Sequence, residues 1–165
     1  MVNRFINIEY LFSILFILFY QIVIMPRTTI LGVVPNIALI IAVWIALVKT
    51  PRRSLFFGFF AGFSIGLLTP ADLGWEALLL GLIGMGLSVL KDKIVLEAFP
   101  IRILTLFIIS MLYQLIFLIL SRYDMVSGNF PQILLNTFLT TAYTTMIGTL
   151  IYGFIKNRYI LRNLF

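Results

Sequence analysis

The chain has 165 residues, 62% of them hydrophobic and only 11% charged, with a mean hydropathy of +1.12. A soluble domain of this size needs far more polar surface, so the composition points to an integral membrane protein. The net charge is +6, but the basic residues fall between apolar runs rather than on one face, which fits membrane loops and argues against nucleic acid. The chain has no Cys and no His, which excludes disulfides, thiolate sites and the commonest general base and metal ligand.

Six apolar runs predict an all-α, single-domain membrane protein with spans at about residues 8–25, 33–48, 52–69, 71–90, 101–120 and 133–155. The first run follows Arg4 without a small-residue cleavage site, so it is expected to stay as a span. The second run is short for a crossing that takes roughly 20 residues. Prolines mark the helix starts. Thr50-Pro51 and Thr69-Pro70 read as an N-cap followed by Pro at the first helical position, with Asp72 completing a capping box. Pro35 and Pro100 are expected to open helices two and five.

Lys and Arg set the orientation. With the N-terminus inside, the inner segments hold Arg4, Lys49, Arg52, Arg53, Lys91, Lys93, Arg102, Lys156, Arg158 and Arg162. The outer loops hold only Arg27 and Arg122. This bias predicts that both termini lie inside.

The six carboxylates, Glu9, Asp72, Glu76, Asp92, Glu97 and Asp124, all lie near predicted span ends. A proton or ion path normally carries a charge near a span centre, so ion-coupled transport is not expected. Asp72 and Glu76 are one turn apart and read as acids at a helix N-terminus, facing the positive end of its dipole. The alternative is a paired-carboxylate site. Lys91-Asp92-Lys93 with Glu97 reads as a loop that fixes topology, the alternative being a docking patch.

Polar residues inside the spans are more informative. They include Gln21, Asn36 and Gln114, and a Thr-rich sixth helix in which Asn136, Thr140 and Thr144 share one face and Thr137, Thr141 and Thr145 another. These side chains serve helix packing or line a small-molecule cavity, for which Asn36, Gln114, Thr140 and Thr144 are the candidates. Gly58, Gly62 and Gly66 repeat every four residues in the third helix. The fourth carries Gly74, Gly81 and Ser88 at spacing seven, with Ala77 and Gly84 beside them. The short turn between the two makes them antiparallel neighbours, and their small-residue faces are expected to meet. The same face can instead hold a partner's helix. Phe56, Phe57, Phe59, Phe60 and Phe63 would then face lipid or a partner.

The segment from Val33 to Gly84 resembles the MreD family of rod-shape-determining membrane proteins. It has Pro35-Asn36 opening a helix, a short basic turn, "GFFAGFSIGLL", and "LGWEALLLGLIG" as the next helix. The six-span layout and the length fit across the whole chain. The chain departs from the family pattern after "GLL", where Thr69-Pro70-Ala71 precede Asp72. The resemblance implies a non-catalytic scaffold of the bacterial cell-elongation machinery in the cytoplasmic (inner) membrane. It would bind MreC directly and work with MreB, RodA and a class B penicillin-binding transpeptidase in cell-shape control and peptidoglycan synthesis. No cofactor or metal is implied, and self-association is left open. The family is also similar in fold to the S components of energy-coupling-factor transporters. That similarity supplies an alternative, a small-molecule-binding S component of a vitamin transporter.

Overall fold

The computed structural model describes residues 2–29, 32–68, 74–91, 99–121 and 130–162, without the side chains of 2–9, 121, 130 and 155–162. Among the described residues the protein is all-helical and contains six α-helices. They are α1 (Val2–Phe19), α2 (Ile37–Val48), α3 (Pro51–Gly66), α4 (Trp75–Leu90), α5 (Phe99–Ser121) and α6 (Phe130–Arg162). Two stretches, Tyr10–Arg27 and Phe99–Leu120, are long and apolar enough to cross a membrane.

The helix bounds differ from the expected spans for local reasons. Pro35 does not open α2. It lies outside the helix, and its carbonyl accepts a bond from the Tyr20 hydroxyl at 3.4 Å. Asn36 is the N-cap instead, its side-chain oxygen accepting from the Leu39 N–H at 3.0 Å. Thr50 holds the N-cap position of α3 with Pro51 at N1, but its side chain makes no cap bond. α4 starts at Trp75, later than expected, and the Thr69-Pro70-Asp72 capping box lies outside the described residues. So do Asp92, Lys93, Glu97, Arg122 and Asp124. α5 begins at Phe99, leaving Pro100 inside the first turn. α6 continues to Arg162, well beyond the expected end; its 33 residues extend about 50 Å.

α1 does not stop cleanly. Residues Tyr20–Ile24 form a π-helical turn, closed by the Met25 N–H donating to the Tyr20 carbonyl, and Met25–Arg27 form a 3-10 turn. Pro26 supplies the cause. It has no N–H for the Ile22 carbonyl, and its ring would collide with that carbonyl in a regular helix. The backbone therefore widens just ahead of it.

α2 is the central helix and touches each of the other five. Eight of its twelve residues are buried, among them Leu39, Ile40, Val43 and Ala46. Its polar backbone ends are met by other helices. The Asn36 N–H donates to Thr144 Oγ1 at 3.1 Å, and the Lys49 carbonyl accepts from Ser88 Oγ at 2.8 Å and from Lys91 Nζ. Midway, the buried Tyr152 hydroxyl donates to the Ile40 carbonyl at 2.9 Å. The bonds at the two ends satisfy helix-terminal groups that an apolar surrounding would otherwise leave unpaired.

α3 and α4 make the most extensive helix–helix contact in the protein. They run antiparallel in a fixed register. Gly62 lies against Glu76 and Ala77, Gly58 against Leu80 and Gly81, and Gly84 against Ser54. α5 and α6 form the second antiparallel pair, with Thr141 Oγ1 3.8 Å from Met111 Sδ and the Phe107 and Phe138 rings 6.3 Å apart.

Candidate functional site

The bundle has two chemically distinct ends. Lys49, Arg52, Arg53 and Lys91 gather at one, where α2 and α4 finish and α3 begins. At the other, the end of α1, the start of α2 and the start of α4 meet the later turns of α5 and the early turns of α6. Two cavities open there. One, of 140 Å³, is lined by the polar residues Gln21, Asn36, Glu76, Tyr113 and Gln114 together with Ile65 and Phe117. Its neighbour, of 270 Å³, is lined by Asn136, Thr137 and Thr140 among others. Gln114 and Phe117 form a wall common to both.

Each polar residue has a reason to be there. The Asn36 cap holds its own side chain at the mouth of α2. The π-helical turn carries Gln21, and the Tyr20 hydroxyl beside it lies 3.3 Å from Thr28 Oγ1, which in turn bonds the Ile24 carbonyl at 3.2 Å. Tyr143 of α6 ties down the same loop by donating to the Thr28 carbonyl at 3.3 Å. Among the described residues, no group of three or more side chains suited to a metal ion comes together.

The structure sorts the residues singled out in the sequence. Asn36 and Gln114 line the smaller cavity, and Gln114 and Thr140 the larger. Thr144 lines neither; it is fully buried and accepts the Asn36 N–H. Thr140, Thr145 and Thr149 each donate to the carbonyl four residues earlier at 2.8 Å, bonding their own helix. Glu76 is in the cavity wall, a position that its reading as a helix-terminal acid did not anticipate. Its candidate partner Asp72 lies outside the described residues.

The glycines divide as well. A Cβ on Gly62 would overlap the Glu76 carbonyl, and one on Gly58 the Leu80 carbonyl. Gly84, expected only beside the spacing-seven row of Gly74 and Gly81, is as necessary; its Cβ would stand 2.7 Å from the Ser54 carbonyl. Gly81 faces α3 at an ordinary 3.5 Å, so glycine is not required there. Gly74 is not a packing residue. Nothing lies within 4 Å of its Cβ position, and its φ of +104° identifies it as the turn residue that opens α4. Gly66 is buried in the same row of α3. Because α4 itself fills the groove at Gly58 and Gly62, a partner's helix cannot dock there.

The outer surface is strongly apolar. Phe12 and Phe154 are each 73% exposed. On α3, Phe56, Phe59, Phe60 and Phe63 all face outward, with the Phe59 and Phe63 rings stacked at 6.5 Å and Phe59 edge-on to Phe60 at 5.9 Å, whereas Phe57, expected with them, is buried with its ring 5.7 Å from that of Tyr10.

Compared with known proteins, the chain matches no family model, and no curated protein or solved structure is significantly similar to it.

Proposed function

We propose that the protein is a non-catalytic membrane scaffold of the MreD type, a six-span protein with both termini inside that binds MreC in the cell-elongation machinery. The observation that carries this reading is the Val33–Gly84 segment, whose ordered motifs resemble that family. Its last two elements pack as the α3–α4 hairpin. The apolar outer surface supports a multi-pass arrangement, because side chains such as Phe12 and Leu150 gain nothing by facing water.

The docking face in this reading is the aromatic ridge of Phe56, Phe59, Phe60 and Phe63. The glycine row behind it is occupied by α4 and serves to hold the ridge rigid. Aromatic rings offer large contact areas with little side-chain entropy to lose. The test is capture of MreC by the purified membrane protein. Phe59→Ala combined with Phe63→Ala is expected to abolish capture while abundance and unfolding midpoint stay close to wild type. Undiminished capture by the double variant rules out the ridge, and failure of the wild-type protein to capture MreC rules out the scaffold.

The polar cavities favour a second reading, a small-molecule-binding S component. Such a protein retains a ligand through purification and is encoded beside transporter ATPases, whereas loss of a shape-determining scaffold rounds up a rod-shaped cell.

A further inference from the structure

We propose that the cavity between Gln21, Asn36, Glu76 and Gln114 binds a primary ammonium group carried on a short carbon chain. The inference rests on the cavity itself and on neither reading of function given above.

Three observations lead to it. First, a chain with few polar residues in its apolar helices brings several of them together here. Gln21 comes from the end of α1, Asn36 from the cap of α2, Glu76 from α4, and Tyr113 and Gln114 from α5. Polar side chains in an apolar surrounding are costly, and their convergence marks a function. Second, Gln21 stands on the π-helical turn, a distortion that is concentrated at functional sites. Third, neither the Gln21 nor the Gln114 carboxamide commits itself to another described residue, so both remain available to a ligand.

The chemistry of the wall selects the ligand. Among the described residues, Glu76 is the one carboxylate lining either cavity, and no Lys or Arg lines them. Arg27, at the same end, is exposed and outside both walls. The described part of the wall thus offers an acid and no base, which favours a cation over an anion. An ammonium group has three donors and no acceptor, and the wall supplies acceptors in the Glu76 carboxylate and the Gln21 and Gln114 carbonyls. At 140 Å³ the smaller cavity takes a headgroup with a short chain against Ile65 and Phe117. Beyond Gln114, the hydroxyls and carboxamide of Thr137, Thr140 and Asn136 suit a polar remainder.

A primary ammonium on a short chain belongs to the ethanolamine headgroup of a phospholipid and also to free diamines, and one experiment separates the two. The full chain is reconstituted in nanodiscs of mixed phosphatidylethanolamine and phosphatidylglycerol, and retained lipid is counted by native mass spectrometry. In parallel, nanodiscs of phosphatidylglycerol alone are titrated with putrescine while the unfolding midpoint is followed. A lipid ligand gives enrichment of phosphatidylethanolamine. A free amine gives a saturable rise in midpoint with putrescine. In either case Glu76→Gln, nearly isosteric, is expected to weaken binding about tenfold or more, and Gln114→Leu to weaken it as well. The proposal is overturned if the wild-type protein prefers neither probe, or if the preference survives in both variants.

Discussion

The register of α3 on α4 makes a quantitative prediction at a single methyl group. In Gly62→Ala the new Cβ would penetrate the Glu76 carbonyl and crowd the Ala77 Cα. All the obstructing atoms are backbone, so no side chain can swing aside. Carbon atoms pack at about 3.5–4.0 Å, so the two helices must separate by roughly 1 Å at this point. Overpacking of this kind costs up to about 3 kcal/mol, roughly a hundredfold in the folding equilibrium. Gly81→Ala is the control on the same interface. Its Cβ would stand 3.5 Å from Leu55 and Phe59, an ordinary contact, and Ala is the better helix former by about 1 kcal/mol. Gly81→Ala is therefore expected to unfold at or slightly above the wild-type midpoint. Equilibrium unfolding in mixed micelles of dodecyl maltoside and sodium dodecyl sulfate, followed by far-UV circular dichroism, measures both. Equal midpoints for Gly62→Ala and wild type would refute the close-approach argument, as would an equal loss in the two variants.

Thr144→Val removes the acceptor of the Asn36 N–H while keeping side-chain volume, and is expected to cost about 1–3 kcal/mol in the same unfolding assay. Thr145→Val, on a residue that bonds its own helix, is expected to cost less. Alkaline phosphatase fused to the C-terminus is expected to be inactive if the proposed orientation, with that end inside, holds; an active fusion contradicts it.

Some of this was visible in the residue order and some was not. Gly58 and Gly62 announce a close approach because spacing four keeps them on one helix face and the turn to α4 is short. The matching residues on α4 could not be chosen the same way. Spacing seven selects Gly74 and Gly81, yet register decides which position meets a carbonyl, and it chooses Gly84 opposite Ser54. Gly74 is glycine for its backbone angle alone. At α2, periodicity cannot distinguish Pro35 as first helical residue from Pro35 as an acceptor for Tyr20, since Tyr20 is fifteen residues away in the chain. The cavity shows the same division. Asn36 and Gln114 stand out as polar residues in apolar surroundings. That Gln21 and Glu76 join them depends on the π-helical turn and on the placement of α4, both products of tertiary packing.

The burial of α2 bears on how the chain enters a bilayer. Its twelve residues extend about 18 Å, well short of the roughly 30 Å hydrocarbon layer. In the proposed six-span arrangement lipid would scarcely touch it, so a thicker or thinner membrane would not strain it directly. The same shortness makes it a poor candidate for insertion on its own hydropathy. In the six-span arrangement it enters with its neighbours, and the bonds that Thr144, Ser88 and Tyr152 make to its backbone complete its solvation only once α4 and α6 have arrived. The protein's innermost helix is then among the last to be secured.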